Sequence, residues 1–214
     1  MRQWIGGEAS IWPDEKWEIY AVPGPDSAVA ELAARHRGVL EEFPEHLSVV
    51  DRQWLHMTVY PVPWWASEAP ESEVRRLHTA LCDAAAGLEP VTVTVGPGLA
   101  SRVGPLLETD TADDGPWAEV TSRIAAVAEE ITGTPAATTS PAHVSLAYTT
   151  ADLDVAGHER LASRLRRVRS SPVRAQWTVD TLHLARVRQD PVAHTYTWTE
   201  AHPIPIGTRR SPAG

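Results

Sequence analysis

Two short segments of this 214-residue chain carry the same pattern of residues. The first is Leu55-His56-Met57-Thr58-Val59 and the second is Ala142-His143-Val144-Ser145-Leu146. In each, one apolar residue separates a histidine from a hydroxyl residue, within a run that is typical of a strand. Because side chains alternate between the two faces of a strand, the histidine and the hydroxyl share a face. Two imidazoles and two hydroxyls that converged on one space could perform acid–base chemistry on a phosphate ester.

A single segment of this kind predicts little, since a partly buried strand histidine with a hydrogen-bonded neighbour occurs in any fold. A second copy of the motif favours a functional role for the histidines more than one copy does. It lies 87 residues after the first, about the length of one small lobe, and an aromatic residue follows each copy, at Tyr60 and Tyr148. The functional interpretation therefore stands beside the structural one, in which both histidines are ordinary core residues.

The predicted elements around the motifs follow a repeated order. Apolar alternation predicts strands at 17–22, 47–50, 55–61, 91–95, 103–108, 142–148 and 194–200, and one strand or a pair of strands over 174–188. Helical spacing and caps predict helices at 28–43, 72–87, 116–132 and 156–169, and proline and glycine mark a loop at 63–70 and a turn at 96–98. Each motif strand lies between two helices.

This order predicts an α+β fold with two pseudo-symmetric lobes. Each lobe would be a small antiparallel sheet backed by helices, with the active-site cleft between the lobes. We expect residues 1–15 to form an N-terminal appendage, residues 16–207 one bilobal domain, and residues 208–214 a disordered tail.

Strand alternation also predicts which side chains reach the cleft. On the first motif strand they are Trp54, His56, Thr58 and Tyr60, and on the second they are His143, Ser145 and Ala147, with Tyr148 facing away.

Several aromatic residues near the motifs are candidates to contact a nucleobase. Trp54 and Tyr60 could stack on a base, or could only close the rim of the sheet. Trp64 and Trp65, in the predicted loop, could form a base platform or a lid, or pack onto the lobe. Tyr148, just after the second motif, is a further candidate for contact with the substrate.

Composition excludes some classes of function. The formal charge of −9 argues against a protein that coats long nucleic acid by charge alone. The charge is uneven, since residues 1–150 contain 9 basic and 22 acidic side chains and residues 151–214 contain 10 and 6. Arg160, Arg164 and Arg167 fall on one face of the last predicted helix and form either an anion site or a solvated face.

We expect no metal and no cofactor. The single cysteine, Cys82, excludes an intrachain disulfide and a cysteine cluster, and the acidic residues show no metal-ligand spacing. The chain shows no signal peptide and no apolar run of membrane-spanning length, so we expect a cytoplasmic protein without a membrane partner.

The motifs His56-Met57-Thr58 and His143-Val144-Ser145 resemble those of the two-histidine (2H) phosphoesterase superfamily. Its members include the bacterial LigT-like 2′-5′ RNA ligases and 2′,3′-cyclic phosphodiesterases. The similar order of elements extends from about Trp17 to Ile206, and Thr181–Val187 resembles a closing core strand of that family.

The resemblance implies a metal-independent phosphodiesterase that acts on nucleotides or short RNA with a 2′,3′-cyclic phosphate or a 2′-5′ linkage. His56 and His143 would be the general acid and base, in an order that the sequence leaves open, and Thr58 and Ser145 would bind the phosphate. LigT-like proteins often have an arginine just after the second motif, where this chain has Tyr148. That departure favours hydrolysis over ligation.

Three alternatives remain open at this point. The same site could act as a 2′-5′ RNA ligase, the cleft could bind a nucleotide without catalysis, or the motifs could be structural parts of an unrelated α+β domain. The oligomeric state is open as well, with a monomer as the simplest expectation.

Overall fold

Two four-stranded antiparallel sheets and four α-helices form the described part of the chain. The structure is a computed structural model that describes residues 1, 3–5, 11–102, 104–112, 114–135, 141–168 and 173–207. The strands are β1 (Lys16–Ala21), β2 (Leu47–Val49), β3 (Met57–Trp65), β4 (Val91–Ala100), β5 (Pro105–Asp110), β6 (His143–Ser145), β7 (Ala147–Thr149), β8 (Ala175–Val179), β9 (Thr181–Asp190) and β10 (Thr195–Pro205). The helices are α1 (Ala28–Leu40), α2 (Glu71–Ala85), α3 (Pro116–Thr132) and α4 (Val155–Arg167).

Each sheet is covered by two helices. The first sheet has the strand order β10-β9-β1-β3 and contacts α2 and α3, and the second has the order β6-β5-β4-β8 and contacts α1 and α4. Strands β2 and β7 form a separate two-stranded antiparallel sheet. The predicted α+β fold, with two sheet-bearing lobes backed by helices, is confirmed.

Local signals account for the helix boundaries. The side chains of Ser27 and Asp154 cap α1 and α4 by accepting backbone N–H bonds from Ala30 and Gly157. Helix α3 starts at Pro116 and ends at Gly133, whose φ of 67° is left-handed. None of the helices in the described part of the chain combines the length and the apolar content that a membrane span requires.

The first motif strand is longer than predicted. The sequence predicts that Pro61 and Pro63 end the strand and that a loop follows, but β3 continues through both prolines to Trp65. Since β3 is the outer strand of its sheet, a proline there can lack an N–H without breaking a ladder bond. Strand β4 likewise runs through the predicted turn at 96–98, with a register irregularity between Val95 and Gly98.

The second motif strand is split. The prediction of one strand over 142–148 was wrong, because β6 pairs with β5 whereas β7 pairs with β2. The chain changes partner at Leu146, whose N–H bonds to Pro105 and whose carbonyl accepts from Val50. The change of partner lets Ser145 and Tyr148 belong to different sheets.

The beginning of the chain contacts the body of the protein. The N-terminal ammonium of Met1 donates to the carbonyl of Leu153, and the N–H groups of Trp4 and Ile5 both point to the carbonyl of Thr149. Ile5 is fully buried. The predicted tail at 208–214 and Val103, the first residue of a predicted strand, lie outside the described residues.

A close contact joins α1 to β4. The His36 side chain on α1 is 2% exposed, and its Nδ1 donates to the carbonyl of Leu32 at 2.9 Å. Its ring lies against Gly98, where a Cβ atom would be 2.4 Å from Nε2. Glycine at this position is therefore required by the distance between the helix and the strand.

We expect Gly98→Ala to lower the free energy of unfolding by about 1–3 kcal/mol, because the new methyl group would collide with the buried His36 ring. Urea unfolding measures the change. The matched control is Gly38→Ala on α1, where a Cβ meets nothing within 4 Å and stability should rise by up to about 1 kcal/mol. In a His36→Ala background most of the Gly98→Ala cost should vanish, and an equal cost in both backgrounds would contradict the contact.

Candidate active site

The fold brings the two motifs together at sheet edges. His56 directly precedes β3, the outer strand of the first sheet, and His143 begins β6, the outer strand of the second. Strands β3 and β6 contact each other. The two imidazoles are close enough for the charge of His143 to act on His56, where it lowers the pKa.

Both histidines are oriented by the same backbone hydrogen bond. Nδ1 of His56 lies 2.8 Å from the carbonyl oxygen of Trp54, and Nδ1 of His143 lies 2.8 Å from that of Pro141. Because a carbonyl oxygen only accepts, Nδ1 of each ring carries a proton. In the described part of the chain no side chain or backbone group hydrogen-bonds to either Nε2. Each Nε2 can therefore exchange a proton with a bound ligand.

The two rings differ in their surroundings. His56 stacks on Tyr20, with ring centroids 4.1 Å apart and planes at 22°, and the edge of Trp198 lies 5.7 Å away. Burial lowers the pKa of His56 to about 4, with a smaller contribution from His143, while the hydrogen bond to Trp54 opposes the shift. His56 is neutral at pH 7, as a general base must be.

The hydroxyl of each motif lies near its histidine. Thr58 is exposed and Ser145 is partly buried, and no protein group in the described residues hydrogen-bonds to either hydroxyl. Both can therefore donate to a ligand such as a phosphate oxygen.

A β-bulge moves Tyr60 away from the cleft. Strand β1 pairs Tyr20 with Thr58 but Ile19 with Tyr60, so that Val59 is an extra residue on β3. Thr58 and Tyr60 therefore lie on opposite faces. Tyr60 is 1% exposed and its hydroxyl donates to the carbonyl of Thr134 at 3.4 Å. The prediction that Tyr60 faces the cleft was wrong, because strict alternation ignores bulges.

Trp54 is the only one of the proposed aromatic contacts that the described structure places beside the histidines. It lies in a 3-10 turn (Arg52–Trp54) rather than on the strand. Its ring packs against that of Trp198 in a T-shaped arrangement, with the ring centroids 4.9 Å apart. Tyr148 is buried against Tyr196, so its ring is not available to a base.

Trp64 and Trp65 lie at the far end of β3 and not in a loop. Trp65 is seven positions after Thr58, which is about 23 Å along a strand. Trp65 contacts Trp12 at 6.2 Å, and Trp64 packs against the core. The structure does not bring these two tryptophans to the motifs.

Tyr20 and Trp198 are site residues that the sequence did not reveal. Both lie on predicted strands, at 17–22 and 194–200, but the pattern of one strand does not show which strand it will pair with. Tyr20 is 3% exposed, and Trp198 is partly buried. Tyr20 could have been identified as a site residue from its pairing with Thr58, but the sequence does not show how β1 and β3 pair.

The basic face of α4 is used within the protein. The guanidinium of Arg160 lies 5.0 Å from the ring centre of Phe43, and Arg164 pairs with Glu42. These contacts attach α4 to the segment after α1. Arg160 and Arg164 therefore take part in intramolecular contacts, which neither the predicted anion site nor the predicted solvated face describes.

A cavity of about 360 Å³ is lined by Leu55 and Leu146, the sequence neighbours of His56 and Ser145, and by Arg37 and Arg52. Its lining includes neither motif histidine and neither motif hydroxyl. Both arginines are engaged by carboxylates, Arg37 by Glu41 and Arg52 by Glu31. Among the described residues no group of three His, Cys, Asp or Glu side chains could hold a metal ion.

Taken together, the site offers two proton-exchanging nitrogens and two hydroxyl donors from two facing edges. Such an arrangement can remove a proton on one side of a tetrahedral centre and supply one on the other side. Hydroxyl donors suit the non-bridging oxygens on which charge develops.

Comparison with solved structures identifies the fold. The chain is similar to TT0787 of Thermus thermophilus, with 16% identity, coverage of 88% of this chain and 97% of that one, and a TM-score of 0.58. It is also similar to E. coli LigT complexed with 3′-AMP (12% identity, 89% and 98% coverage, TM-score 0.60). A structure described as a phosphoesterase gives 12% identity, 90% and 99% coverage and a TM-score of 0.59.

No family model matches the chain, and no curated protein sequence matches it significantly. At these identities the likeness concerns the fold, which extends over nearly the whole of each of these structures. The chain has the LigT-like fold, and the resemblance seen in the sequence is confirmed at that level.

We expect the His56 ring to titrate near pH 4, well below the ordinary value of 6.5, because burial disfavours the imidazolium. Side-chain NMR of the histidine Cε1–H groups between pH 3 and 8 measures the midpoint, and His56→Gln assigns the signal by removing it. The sign follows from linkage: since the folded pKa is depressed, this group's contribution to stability is complete above pH 6.5 and is lost as pH falls toward 4. A midpoint at or above 6.5 would contradict the partly buried, stacked environment of the ring.

Proposed function

We propose that the protein is a metal-independent phosphodiesterase of the 2H type that hydrolyses 2′,3′-cyclic phosphates on nucleotides or RNA ends. The observation that carries the proposal is the convergence of two imidazoles from separate sheet edges, each with Nδ1 held by the carbonyl two residues before it. A protein that only bound nucleotides would not need two titratable rings oriented in the same way.

The different surroundings of the rings suggest their roles. His56, which is neutral at pH 7, is the general base that takes a proton from the attacking water through Nε2. His143 is the general acid, whose Nε2–H protonates the leaving ribose oxygen. The water oxygen forms a bond to phosphorus as the bond from phosphorus to one of the two ribose oxygens breaks.

Thr58 and Ser145 are proposed to bind the phosphate. Each lies two residues after its histidine, and their hydroxyls are not used by other described groups. As donors to the non-bridging oxygens they would stabilise charge that grows in the transition state. Trp54, beside Trp198, is the one candidate from the motif region that remains for contact with a base.

The fold neighbours support a nucleotide ligand. One of them, E. coli LigT, was solved with 3′-AMP, a nucleotide that carries a 3′-phosphate. By analogy, residues 16–207 would form the catalytic domain, acting on a mononucleotide or a short RNA end.

RNA ligation through the same site is the second candidate, favoured by the fold shared with LigT. Against it, the position that often holds an arginine in such proteins is Tyr148, which is 5% exposed and carries no positive charge to place against a phosphate. We therefore place hydrolysis first.

We expect His56→Ala and His143→Ala each to lower turnover of 2′,3′-cyclic nucleotides about 10²–10⁴-fold, because each removes a proton-transfer group. The assay follows product formation by chromatography in the presence of EDTA. His158→Ala, the same change on α4, is the control and should retain full turnover.

Turnover that survives in either active-site variant would exclude the two-histidine mechanism. Binding of the cyclic nucleotide without any turnover would favour a nucleotide-binding protein. Joining of RNA ends without hydrolysis would favour the ligase.

We expect Thr58→Val and Ser145→Ala to lower kcat about 100-fold each, with a smaller effect on KM, because the lost bonds are strongest in the transition state. Steady-state kinetics on the same substrate measure both constants. Thr92→Val, which removes an exposed hydroxyl paired with Thr178 on the second sheet, is the matched control. A rise in KM with kcat unchanged would show that the hydroxyls bind the ground state equally well.

A further inference from the structure

One face of the His56 ring is covered by a side chain that belongs to neither motif. We propose that Tyr20 is a positioning residue for the reaction: its buried ring supports the imidazole of His56 and fixes the direction in which Nε2 points. The inference rests on the proposed function, since it concerns the histidine assigned there as the base.

The contact is close and its support is rigid. The ring centroids of Tyr20 and His56 are 4.1 Å apart and their planes differ by 22°, which is a stacked arrangement. Tyr20 lies on β1, an inner strand that is hydrogen-bonded to β3 on one side and to β9 on the other. Its backbone is thus fixed from both sides, unlike that of the edge strand next to His56.

Two restraints together determine the orientation of the His56 ring. The hydrogen bond from Nδ1 to the carbonyl of Trp54 fixes the rotation of the ring within its plane. Stacking on Tyr20 fixes the plane itself, and the edge of Trp198, 5.7 Å away at 86°, limits movement on another side. His143 has the equivalent hydrogen bond, but no aromatic ring of the described residues stacks on it.

This difference supplies a physical reason for the two roles. A base that must accept a proton from one water molecule depends on the direction of its lone pair, and small misplacements reduce the rate strongly. The Tyr20 ring also keeps water from one face of the imidazole, which is consistent with the low pKa that burial gives to His56.

Several titratable groups surround the Tyr20–His56 pair. They are Glu18 on β1, His143 on β6, Tyr148 on β7, His183 on β9, opposite Tyr20, and Tyr196 on β10. Burial raises the pKa of Glu18 to about 7, opposed by Lys16 at 3.3 Å. Glu18 therefore titrates well above His56, and the two events can be separated in a pH profile. Among these groups, His143 is the one whose charge acts on His56 itself.

The test compares Tyr20→Val with Tyr20→Phe. Valine suits a strand but removes the flat ring, whereas phenylalanine keeps the ring and removes only the hydroxyl. With Tyr20→Val we expect the NMR titration midpoint of His56 to rise from about 4 toward 6.5, the acid limb of kcat/KM to move with it, and kcat on the plateau to fall about tenfold. Tyr20→Phe should keep the wild-type titration midpoint of His56, the wild-type pH profile of kcat/KM and the wild-type kcat.

Tyr148→Val is the matched control, because Tyr148 is a buried tyrosine that packs on Tyr196 and not on His56. It should lose stability without moving the His56 midpoint. If Tyr20→Val does not fold, Tyr20→Leu fills more of the space without a flat face and should still lower kcat.

An unchanged His56 midpoint and an unchanged kcat in folded Tyr20→Val would overturn the inference. Equal effects of Tyr20→Val and Tyr148→Val on the midpoint would also overturn it, since they would indicate general loosening. The NMR arm does not require activity. If the wild-type protein shows no phosphodiester turnover, the proposed function fails, and the midpoint alone then decides whether Tyr20 controls the His56 ring.

Discussion

Each motif lies on the outer strand of its own sheet, and the two outer strands face each other across the cleft. An outer strand has one edge without a ladder partner, and most proteins cover or interrupt such an edge. Here β3 and β6 contact each other while their backbone ladders run to β1 and β5 on the opposite sides. The histidines can approach one ligand from two directions because neither strand is enclosed within a sheet.

The packing of the helices follows from this arrangement. Helices α2 and α3 cover the first sheet, although the chain enters α3 from β5 of the second, and α1 and α4 cover the second sheet. The chain therefore passes between the halves several times, and β2-β7 adds a short ladder at the crossing.

The two motif histidines have the same local backbone hydrogen bond but different surroundings, and this difference sets the electrostatics of the site. Both rings bond through Nδ1 to a carbonyl two residues upstream, which is a local feature of the backbone. Only the first ring is enclosed by aromatic side chains from β1 and β10 among the described residues. Burial by these side chains keeps His56 neutral, so two similar motifs acquire different proton affinities from their tertiary neighbours.

The fold class, the four helices and the two motifs that supply the candidate residues His56, Thr58, His143 and Ser145 could be predicted from the sequence, because helical spacing, caps and strand alternation are local properties. The other features of the site follow from how distant segments pair and pack. The continuation of β3 through Pro61 and Pro63 depends on its place at a sheet edge, and the split of the second motif strand depends on the separate partners β5 and β2. Tyr60 faces away from the cleft because of a bulge that appears only in the pairing of β3 with β1. Tyr20 reaches His56 because β1 and β3 are neighbours in the sheet. Register and strand order are set by the combined burial of distant segments, and no window of the sequence contains that information.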